Sequence, residues 1–251
     1  MRPRDLVWDG CLNVRELGGL PTRDGGETRF GAVVRADSVR ELSEDGWQAL
    51  VAHGIRTVVD LRGDHERAED PPAELPVAVV HAPFMETSEA ELEEIRANLK
   101  TVAVATPDPA TRARDAYVIF LERFRPSVAG AVRAVADAPA GGVVIHCVAG
   151  KDRAGLLAAF LLHLAGVDDA DIDADYALSE ERLRPRHEEW FAAAESEEEL
   201  ERLKRIVRSP AGAMVGLFAE LERRYGSVEA YLRGAGVTDE EIELVRARLR
   251  G

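Results

Sequence analysis

Short apolar runs alternate with amphipathic segments over the first two thirds of the chain. Each run is largely apolar and several carry β-branched residues, a pattern typical of strands. The runs predict strands at 32–35, 56–61, 77–81 and 143–145, of which the last three are expected to be buried. Alternation of such strands with helical segments predicts an α/β fold, in which a mainly parallel sheet is flanked by helices.

Helical patterns lie between the strands and fill the end of the chain. Before the last strand, helices are predicted at 43–53, 86–105, 115–125 and 128–138. Ser43 is the expected cap of the first helix. After it the pattern is helical throughout, and a glycine-rich turn at 23–26 predicts a hairpin near the start. We predict a single domain over residues 1–251 with a helical insertion at about 86–125 and a helix-rich part at about 167–251. The polar segments 86–125 and 184–208 are candidate lids.

One loop joins the last predicted strand to an apolar helix at 156–165. It contains Cys147 and Arg153, separated by five residues, and two glycines, Gly150 and Gly155. A strand that leads through a tight loop into a helix aims backbone N–H groups and the positive helix end at one point. That geometry predicts an anion site with Cys147 at its edge.

The residues of this loop suit phosphate in particular. The five residues between Cys147 and Arg153 can form a concave nest of N–H groups that holds phosphate oxygens. The guanidinium of Arg153 can hold two oxygens at once. The same positive field favours the thiolate form of Cys147. A thiolate aimed at phosphorus inside such a cradle is a nucleophile for phosphoryl transfer.

The sequence His-Cys-x-x-Gly-Lys-Asp-Arg-x-Gly at 146–155 resembles the signature of cysteine-dependent protein tyrosine phosphatases. It is most similar to a bacterial branch that includes lipid phosphatases. Residues 13–19 resemble the Asn-x-Arg-Asp/Glu-x-Gly-Gly of that branch, residues 60–66 resemble its Asp-Leu-Arg-x-x-x-Glu, and residues 225–232 resemble its last helices. The resemblance spans most of the chain and implies a phosphomonoester hydrolase that acts through a phosphocysteine on Cys147.

The resemblance implies that Asp152 is the general acid. A carboxyl group held beside a phosphate dianion is favoured in its protonated form, which suits proton donation to the leaving oxygen. The alternative is a structural carboxylate paired with an arginine. Three other aspartates are weaker candidates for the acid: Asp37, Asp108 and Asp115.

The other loop residues are expected to bind substrate or to shape the loop. The resemblance implies a neutral, structural His146 and a second phosphate contact from Lys151, with an ability to accept phosphoinositides. Ala154 departs from the family, which usually has Ser or Thr at this position. The residues predicted to bind the phosphate are Val148, Ala149, Gly150, Lys151 and Arg153.

Charged and polar residues outside the signature are expected to brace the loop rather than to touch substrate. These are Asn13, Arg15, Asp60, Arg62 and Glu66. Cys11 precedes Asn13 by two positions. It is either a buried thiol or, if the segment packs under the loop, a partner for a reversible disulfide with Cys147.

The acidic composition limits the partners. A net charge of −14 over 251 residues disfavours nucleic acid and strong attachment to anionic membranes. The histidines show no metal-ligand spacing, and no cofactor or metal is expected. The expected substrates are a phosphorylated protein, a phosphoinositide or a small phosphoester, and the oligomeric state is open.

A cytoplasmic location is expected. The first residues lead into no apolar stretch typical of a signal peptide, and no segment is long and apolar enough to span a bilayer. Two cysteines do not make a disulfide framework, and a catalytic thiol requires reducing conditions. Export by another route stays open.

Two other functions compete with hydrolysis. A non-catalytic phosphate-binding module is conceivable because Ala154 lacks the family hydroxyl. A rhodanese-like sulfur transferase also uses a cysteine loop on an α/β sheet, but Lys151 and Arg153 favour phosphate over a persulfide. A nucleotide P-loop is excluded because Gly-x4-Gly-Lys-Ser/Thr is absent.

Overall fold

The sheet has five strands and is parallel except at one edge. A computed structural model of the chain describes residues 3–69, 76–85, 91, 93–95, 97–98 and 106–250. The strand order is β1-β2-β5-β3-β4, and only β1 runs antiparallel to its neighbour. The strands are β1 Arg15–Glu16, β2 Val33–Ala36, β3 Ile55–Asp60, β4 Ala78–His81 and β5 Gly142–His146. The predicted α/β class is therefore confirmed.

Helices flank the sheet and make up the C-terminal part, as predicted. Before β5 they are α1 Glu44–Ala52, α2 Asp64–Glu69, α3 Pro109–Arg123 and α4 Arg125–Ala136. After β5 they are α5 Arg153–Leu164, α6 Asp169–Arg182, α7 Arg184–Ala192, α8 Glu197–Ile206, α9 Ala213–Tyr225, α10 Val228–Ala235 and α11 Asp239–Arg250. The described positions between 91 and 98 are also helical, whereas most of the helix predicted at 86–105 lies outside the described residues.

The predicted burial of β4 is wrong. Val79 and Val80 are each 37% exposed, whereas every residue of β2 and β5 is buried. The reason is position, because β4 is the edge strand and pairs only with β3. An apolar run alone does not distinguish an edge strand from a central one.

The predicted start is too late in the chain for two helices. α3 starts at Pro109 rather than at 115, because the Asp108 carboxylate accepts the Thr111 N–H at 2.7 Å and so caps the helix. α4 starts at Arg125, three residues before its predicted start. The predicted turn at 23–26 is present, since Thr22 N–H donates to the Gly26 carbonyl at 2.9 Å and Pro21 pairs antiparallel with Glu27.

α5 is the central helix of the core. Ten of its residues are buried, and it packs against the sheet, α4, α6 and α11. Because β5 and β3 are parallel neighbours, they end side by side at His146 and Asp60. The loop that leads from β5 into α5 therefore lies at the carboxyl edge of the sheet, where ligands bind in folds of this kind.

Candidate active site

The loop 147–152 turns directly from β5 into α5. Cys147, the first residue after β5, is only 3% exposed. Arg153 is the first residue of α5, so the loop faces the N-terminal end of a long buried helix. The positive end of the helix dipole stabilises an anion at this position.

The carbonyl groups of the loop are all held by the surrounding protein. Those of Val148 and Ala149 accept from Ser38 N–H at 2.9 Å and from Asn13 Nδ2 at 3.0 Å. Those of Gly150 and Lys151 accept from the guanidinium of Arg35, at 2.8 and 3.0 Å. In a trans peptide the N–H points opposite to the carbonyl, so the N–H groups of 149–152 face away from these partners. None of them donates to an acceptor in the described part of the chain.

Two glycines make this loop geometry possible. Gly150 has φ +66°, and a Cβ there would lie 2.4 Å from the carbonyl oxygen of Ala36 in β2. A Cβ on Gly155, in the first turn of α5, would lie 2.7 Å from Nη2 of Arg35. Any other residue would push the loop off β2 or the arginine off the loop.

Arg35 is a loop-bracing residue that the sequence analysis missed. It lies on β2, is 1% exposed, and binds Oδ2 of Asp175 at 3.1 Å and Ser179 Oγ at 3.0 Å. Arg15 binds the same Asp175 carboxylate through Nε at 3.0 Å and holds Asn13 Oδ1 at 2.7 Å. A buried charge without a partner is costly, so this shared carboxylate fixes both arginines.

We expect Arg35→Lys to lower kcat/KM for phosphate esters on the order of 10²-fold, the cost of slightly misplaced catalytic groups. Lysine can keep the ion pair with Asp175 but cannot also reach the carbonyls of both Gly150 and Lys151. Arg15→Lys is the matched control, since Arg15 shares Asp175 but does not touch the loop carbonyls. Steady-state kinetics should show a clearly smaller loss for the control. Equal losses in the two variants would mean that the two arginines and Asp175 affect activity only through the stability of the protein.

Arg153 is held in place by Glu66. Its Nη2 lies 2.7 Å from Oε1 of Glu66, and Nη1 contacts Oε2. The N–H of Gly63 donates to Glu66 at 2.8 Å and fixes the carboxylate in turn. Burial alone would lower the pKa of Arg153, but the Glu66 hydrogen bond and the negative charge of Cys147 raise it above its ordinary value. Glu66 thus braces the arginine, and the rest of the planar fork is available for phosphate.

The other predicted braces do not all contact the loop directly. Asn13 contacts the loop directly, as described above. Arg62 instead binds Asp60 in the neighbouring turn, with Nε at 3.0 Å from Oδ1. His146 donates from Nδ1 to the Cys147 carbonyl at 3.1 Å. Burial lowers the pKa of His146 to about 4, so its ring is neutral at neutral pH, as predicted.

Asp152 lies at the N-terminus of α5 and is half exposed, at 45% for its side chain. Its Oδ1 accepts a hydrogen bond from the hydroxyl of Tyr117 at 2.6 Å, and Tyr117 in turn contacts the hydroxyl of Tyr176 at 2.8 Å. No arginine pairs with Asp152 among the salt bridges of the described residues, whereas Lys151 Nζ lies 3.5 Å away. The carboxylate is therefore open on one side and held on the other.

The three competing aspartates have structural partners. Asp37 is fully buried and accepts the N–H groups of Leu12 and Asn13, at 3.0 and 2.9 Å. Burial raises its pKa above the ordinary value. Asp108 caps α3, and Asp115 pairs with Arg114 at 2.7 Å.

A cavity of about 420 Å³ opens beside Asp152 and Lys151. Its apolar and aromatic wall includes Ala113, Ala116, Tyr117, Phe120, Tyr176 and Ile206. Cationic side chains also line it, from Arg112, Lys204, Arg205 and Arg208. Both predicted lid segments thus border the cavity, although their movement stays a prediction.

Lys151 points its ammonium group toward α8. Its Nζ donates to the carbonyl oxygens of Ile206 and Arg208, at 2.6 and 3.1 Å. Carbonyl groups at a helix C-terminus attract a cation, and Ile206 is the last residue of α8. The second phosphate contact predicted for Lys151 stays a prediction.

The two cysteines are not joined in a disulfide. Both are free, and the Cys11 thiol donates to the Ser38 carbonyl at 3.3 Å. Burial, followed by the charge of Asp37, raises the pKa of Cys11 far above its ordinary value. A thiol that resists ionisation is a poor partner for thiol–disulfide exchange.

Comparisons with known proteins place these residues in a family context. A sequence profile described as "Tyrosine phosphatase family" matches residues 6–251. A tyrosine-protein phosphatase of Nostoc commune is 31% identical over 224 residues, which are 87% of this chain and 74% of that protein. The triple specificity protein phosphatase PtpB of Mycobacterium tuberculosis is 28% identical over 280 residues, 96% of this chain and 100% of that protein. A putative tyrosine-protein phosphatase of Cupriavidus necator is 29% identical over 258 residues, 98% and 87% of the two chains.

The described residues contain neither a membrane-spanning helix nor a cluster suited to a metal ion. No described helix is both long and apolar enough to cross a membrane. Within the same residues, no group of three or more His, Cys, Asp or Glu side chains is placed to hold a metal ion.

Proposed function

This chain belongs to the tyrosine phosphatase family, and from that membership we propose that it hydrolyses phosphate monoesters with Cys147 as the nucleophile. Arg153 and the N–H groups of 148–152 bind the phosphate. Asp152 is the general acid of the first step and the general base of the second. The substrate is a phosphorylated molecule, and the cavity beside Asp152 receives the group that carries the phosphate.

One observation carries the proposal. The carbonyls of residues 148–151 are all bound by groups outside the loop, so the N–H groups opposite them point away from those groups and have no acceptor in the described part of the chain. Fixed N–H donors of this kind stabilise developing charge because they need no reorganisation during the reaction. We take their target to be the phosphate that Cys147 attacks.

The first step transfers the phosphoryl group to the enzyme. A lone pair of the Cys147 thiolate forms the S–P bond while the P–O ester bond breaks on the opposite side. The three other oxygens are held by the loop N–H groups and Arg153. The proton of Asp152 passes to the leaving oxygen, which departs as a neutral alcohol or phenol.

The second step regenerates the enzyme. Asp152, now ionised, takes a proton from water, whose oxygen attacks phosphorus. The new O–P bond forms as the S–P bond breaks. The electron pair of the S–P bond returns to Cys147, which becomes a thiolate again. Inorganic phosphate leaves, and Asp152 holds the proton needed for the next cycle.

The cavity wall favours an aromatic substrate. The aromatic rings of Tyr117, Phe120 and Tyr176 form an apolar wall next to the acid. Such a wall suits the ring of phosphotyrosine better than the short stem of phosphoserine. The expectation is tested with two peptides of the same sequence that differ only in carrying phosphotyrosine or phosphoserine. Phosphate release should be at least about tenfold faster from phosphotyrosine, and a faster release from phosphoserine or a phosphoinositide would contradict it.

Ala154 predicts a slow second step. It is fully buried in the first turn of α5, at the position where the family carries a hydroxyl that can donate to the cysteine sulfur. That donor stabilises the sulfur when it leaves phosphorus, and a methyl group cannot replace it. A burst of p-nitrophenol followed by a slower steady rate is expected in stopped-flow kinetics. Ala154→Ser should raise the steady rate about tenfold. Absence of a burst together with unchanged turnover in Ala154→Ser would contradict this role.

A further inference from the structure

We propose that Tyr117 is a positioning residue for the general acid. Its hydroxyl binds Oδ1 of Asp152 and so leaves Oδ2 to carry the proton to the leaving oxygen. This inference rests on the proposed function, in which Asp152 is the acid. It adds a residue from α3, which lies 35 positions before Asp152 in the sequence.

The geometry joins three elements at the acid. Tyr117 lies on α3, Tyr176 on α6, and Asp152 directly before α5. The Tyr117 hydroxyl lies 2.6 Å from Oδ1 of Asp152 and 2.8 Å from the Tyr176 hydroxyl. Because Tyr117 has one hydroxyl proton and gives it to the carboxylate, Tyr176 must donate to Tyr117. The chain of donation therefore runs from Tyr176 through Tyr117 to the carboxylate.

The donors are fixed while the acceptor is open to the cavity. Tyr117 is 4% exposed and Tyr176 is 1% exposed, and their rings pack edge to face with centroids 6.0 Å apart. The Asp152 side chain, in contrast, is 45% exposed. Within the described residues Oδ2 accepts no hydrogen bond. The rigid side of the carboxyl group thus faces the protein, and its free oxygen is the one available to the leaving group.

The hydroxyl stays protonated over the working range of the enzyme. Burial, followed by the charge of Asp152, raises the pKa of Tyr117 well above its ordinary value. Tyr117 therefore remains a donor to Oδ1 of Asp152, and this hydrogen bond holds the carboxyl group in one orientation.

Other charged groups also face Asp152. Lys151 and Arg153 flank it in the loop, with Lys151 Nζ at 3.5 Å. The cavity adds a cation from α3 and three from α8 and the segment after it, namely Arg112, Lys204, Arg205 and Arg208. Replacing Tyr117 by Phe leaves all of them in place. A change in activity can then be assigned to the lost hydroxyl and not to a change of charge.

The test compares two esters whose leaving groups differ in basicity. The phenol of tyrosine needs a proton to leave, whereas p-nitrophenol is acidic enough to leave largely without one. We expect Tyr117→Phe to lower kcat/KM about tenfold more for phosphotyrosine than for p-nitrophenyl phosphate. Tyr176→Phe should change the ratio of the two kcat/KM values in the same direction by less.

Tyr231→Phe is the matched control. Tyr231 is fully buried, and its hydroxyl donates to the Leu121 carbonyl at 2.8 Å, away from the loop. The ratio of its kcat/KM values for the two esters should equal that of the wild type. Equal losses on both esters in Tyr117→Phe would overturn the proposal. If that variant did not fold, an unchanged ratio in Tyr176→Phe would overturn it instead.

Asp152→Asn separates this inference from the function on which it rests. The variant should lose far more activity on phosphotyrosine than on p-nitrophenyl phosphate. If it shows no such difference, Asp152 is not the acid, and the proposed function fails at that point. If it shows the difference but Tyr117→Phe does not, only the positioning role of Tyr117 is wrong.

Discussion

Replacing Cys147 by serine is expected to abolish phosphatase activity, with a loss on the order of 10⁵-fold in kcat, as for the removal of a nucleophile from other covalent enzymes. A serine hydroxyl is a far weaker nucleophile than a thiolate, and Asp152, which must be protonated as the acid of the first step, cannot activate it as a base. The loop N–H groups and Arg153 are unchanged, so phosphate binding should persist. Two measurements check this: the rate of p-nitrophenyl phosphate hydrolysis, and phosphate binding by calorimetry.

Cys11→Ser is the matched control for this change. Cys11 is the other cysteine of the chain, and a serine there can still donate to the Ser38 carbonyl. Its kcat should stay within a factor of about three of the wild type. A large loss in Cys11→Ser, or retained activity in Cys147→Ser, would show that the nucleophile has been assigned to the wrong residue.

Replacing Arg153 by lysine is expected to lower kcat/KM on the order of 10²-fold or more. The guanidinium serves two partners at once, since it is bound to Glu66 by two nitrogens and still presents donors to phosphate. A lysine ammonium is a point charge and cannot do both. Glu66 would then face the phosphate as an unpaired carboxylate and repel it. Weaker inhibition by inorganic phosphate should accompany the loss.

Arg62→Lys is a suitable comparison for Arg153→Lys. Arg62 is also buried, at 3% exposure, and also pairs with a carboxylate, that of Asp60. Its Nε and Nη2 hydrogen bonds both go to Asp60. Its kcat/KM should fall by no more than about tenfold. Similar losses in the two variants would argue that charge near the sheet edge matters and that the bidentate contact does not.

The chemistry of the loop could be predicted from the sequence because it is local. Cys147, the glycines and Arg153 lie within nine residues, and the strand before them and the helix after them have plain apolar patterns. Because the loop is a single turn of backbone, its local conformation alone places these side chains. The mainly parallel sheet followed from the alternation of strands and helices, whereas the strand order was not predicted. The main error, the burial of β4, concerned a property set by distant neighbours.

The residues that support the loop could not be predicted in the same way. Arg35 is 115 positions from Gly150 and looks like any charged residue in a short strand. Asp175 lies in a helix whose hydrophobic and polar residues form no clear stripe, and Tyr117 resembles an ordinary core aromatic. Their roles depend on contacts between elements that are remote in sequence. One available signal was the short buried strand at 33–36, where a charged residue must find a partner.

The most direct test of the account is the chemical trapping of the phosphocysteine. Wild-type enzyme is mixed with p-nitrophenyl phosphate, denatured within the burst at alkaline pH, where the S–P bond survives, then digested and sequenced by mass spectrometry. The account predicts one phosphoryl group on Cys147, none on Cys11, and none anywhere in Cys147→Ser. A phosphoryl group on another residue, or turnover without any labelled peptide under conditions that preserve thiophosphates, would contradict it.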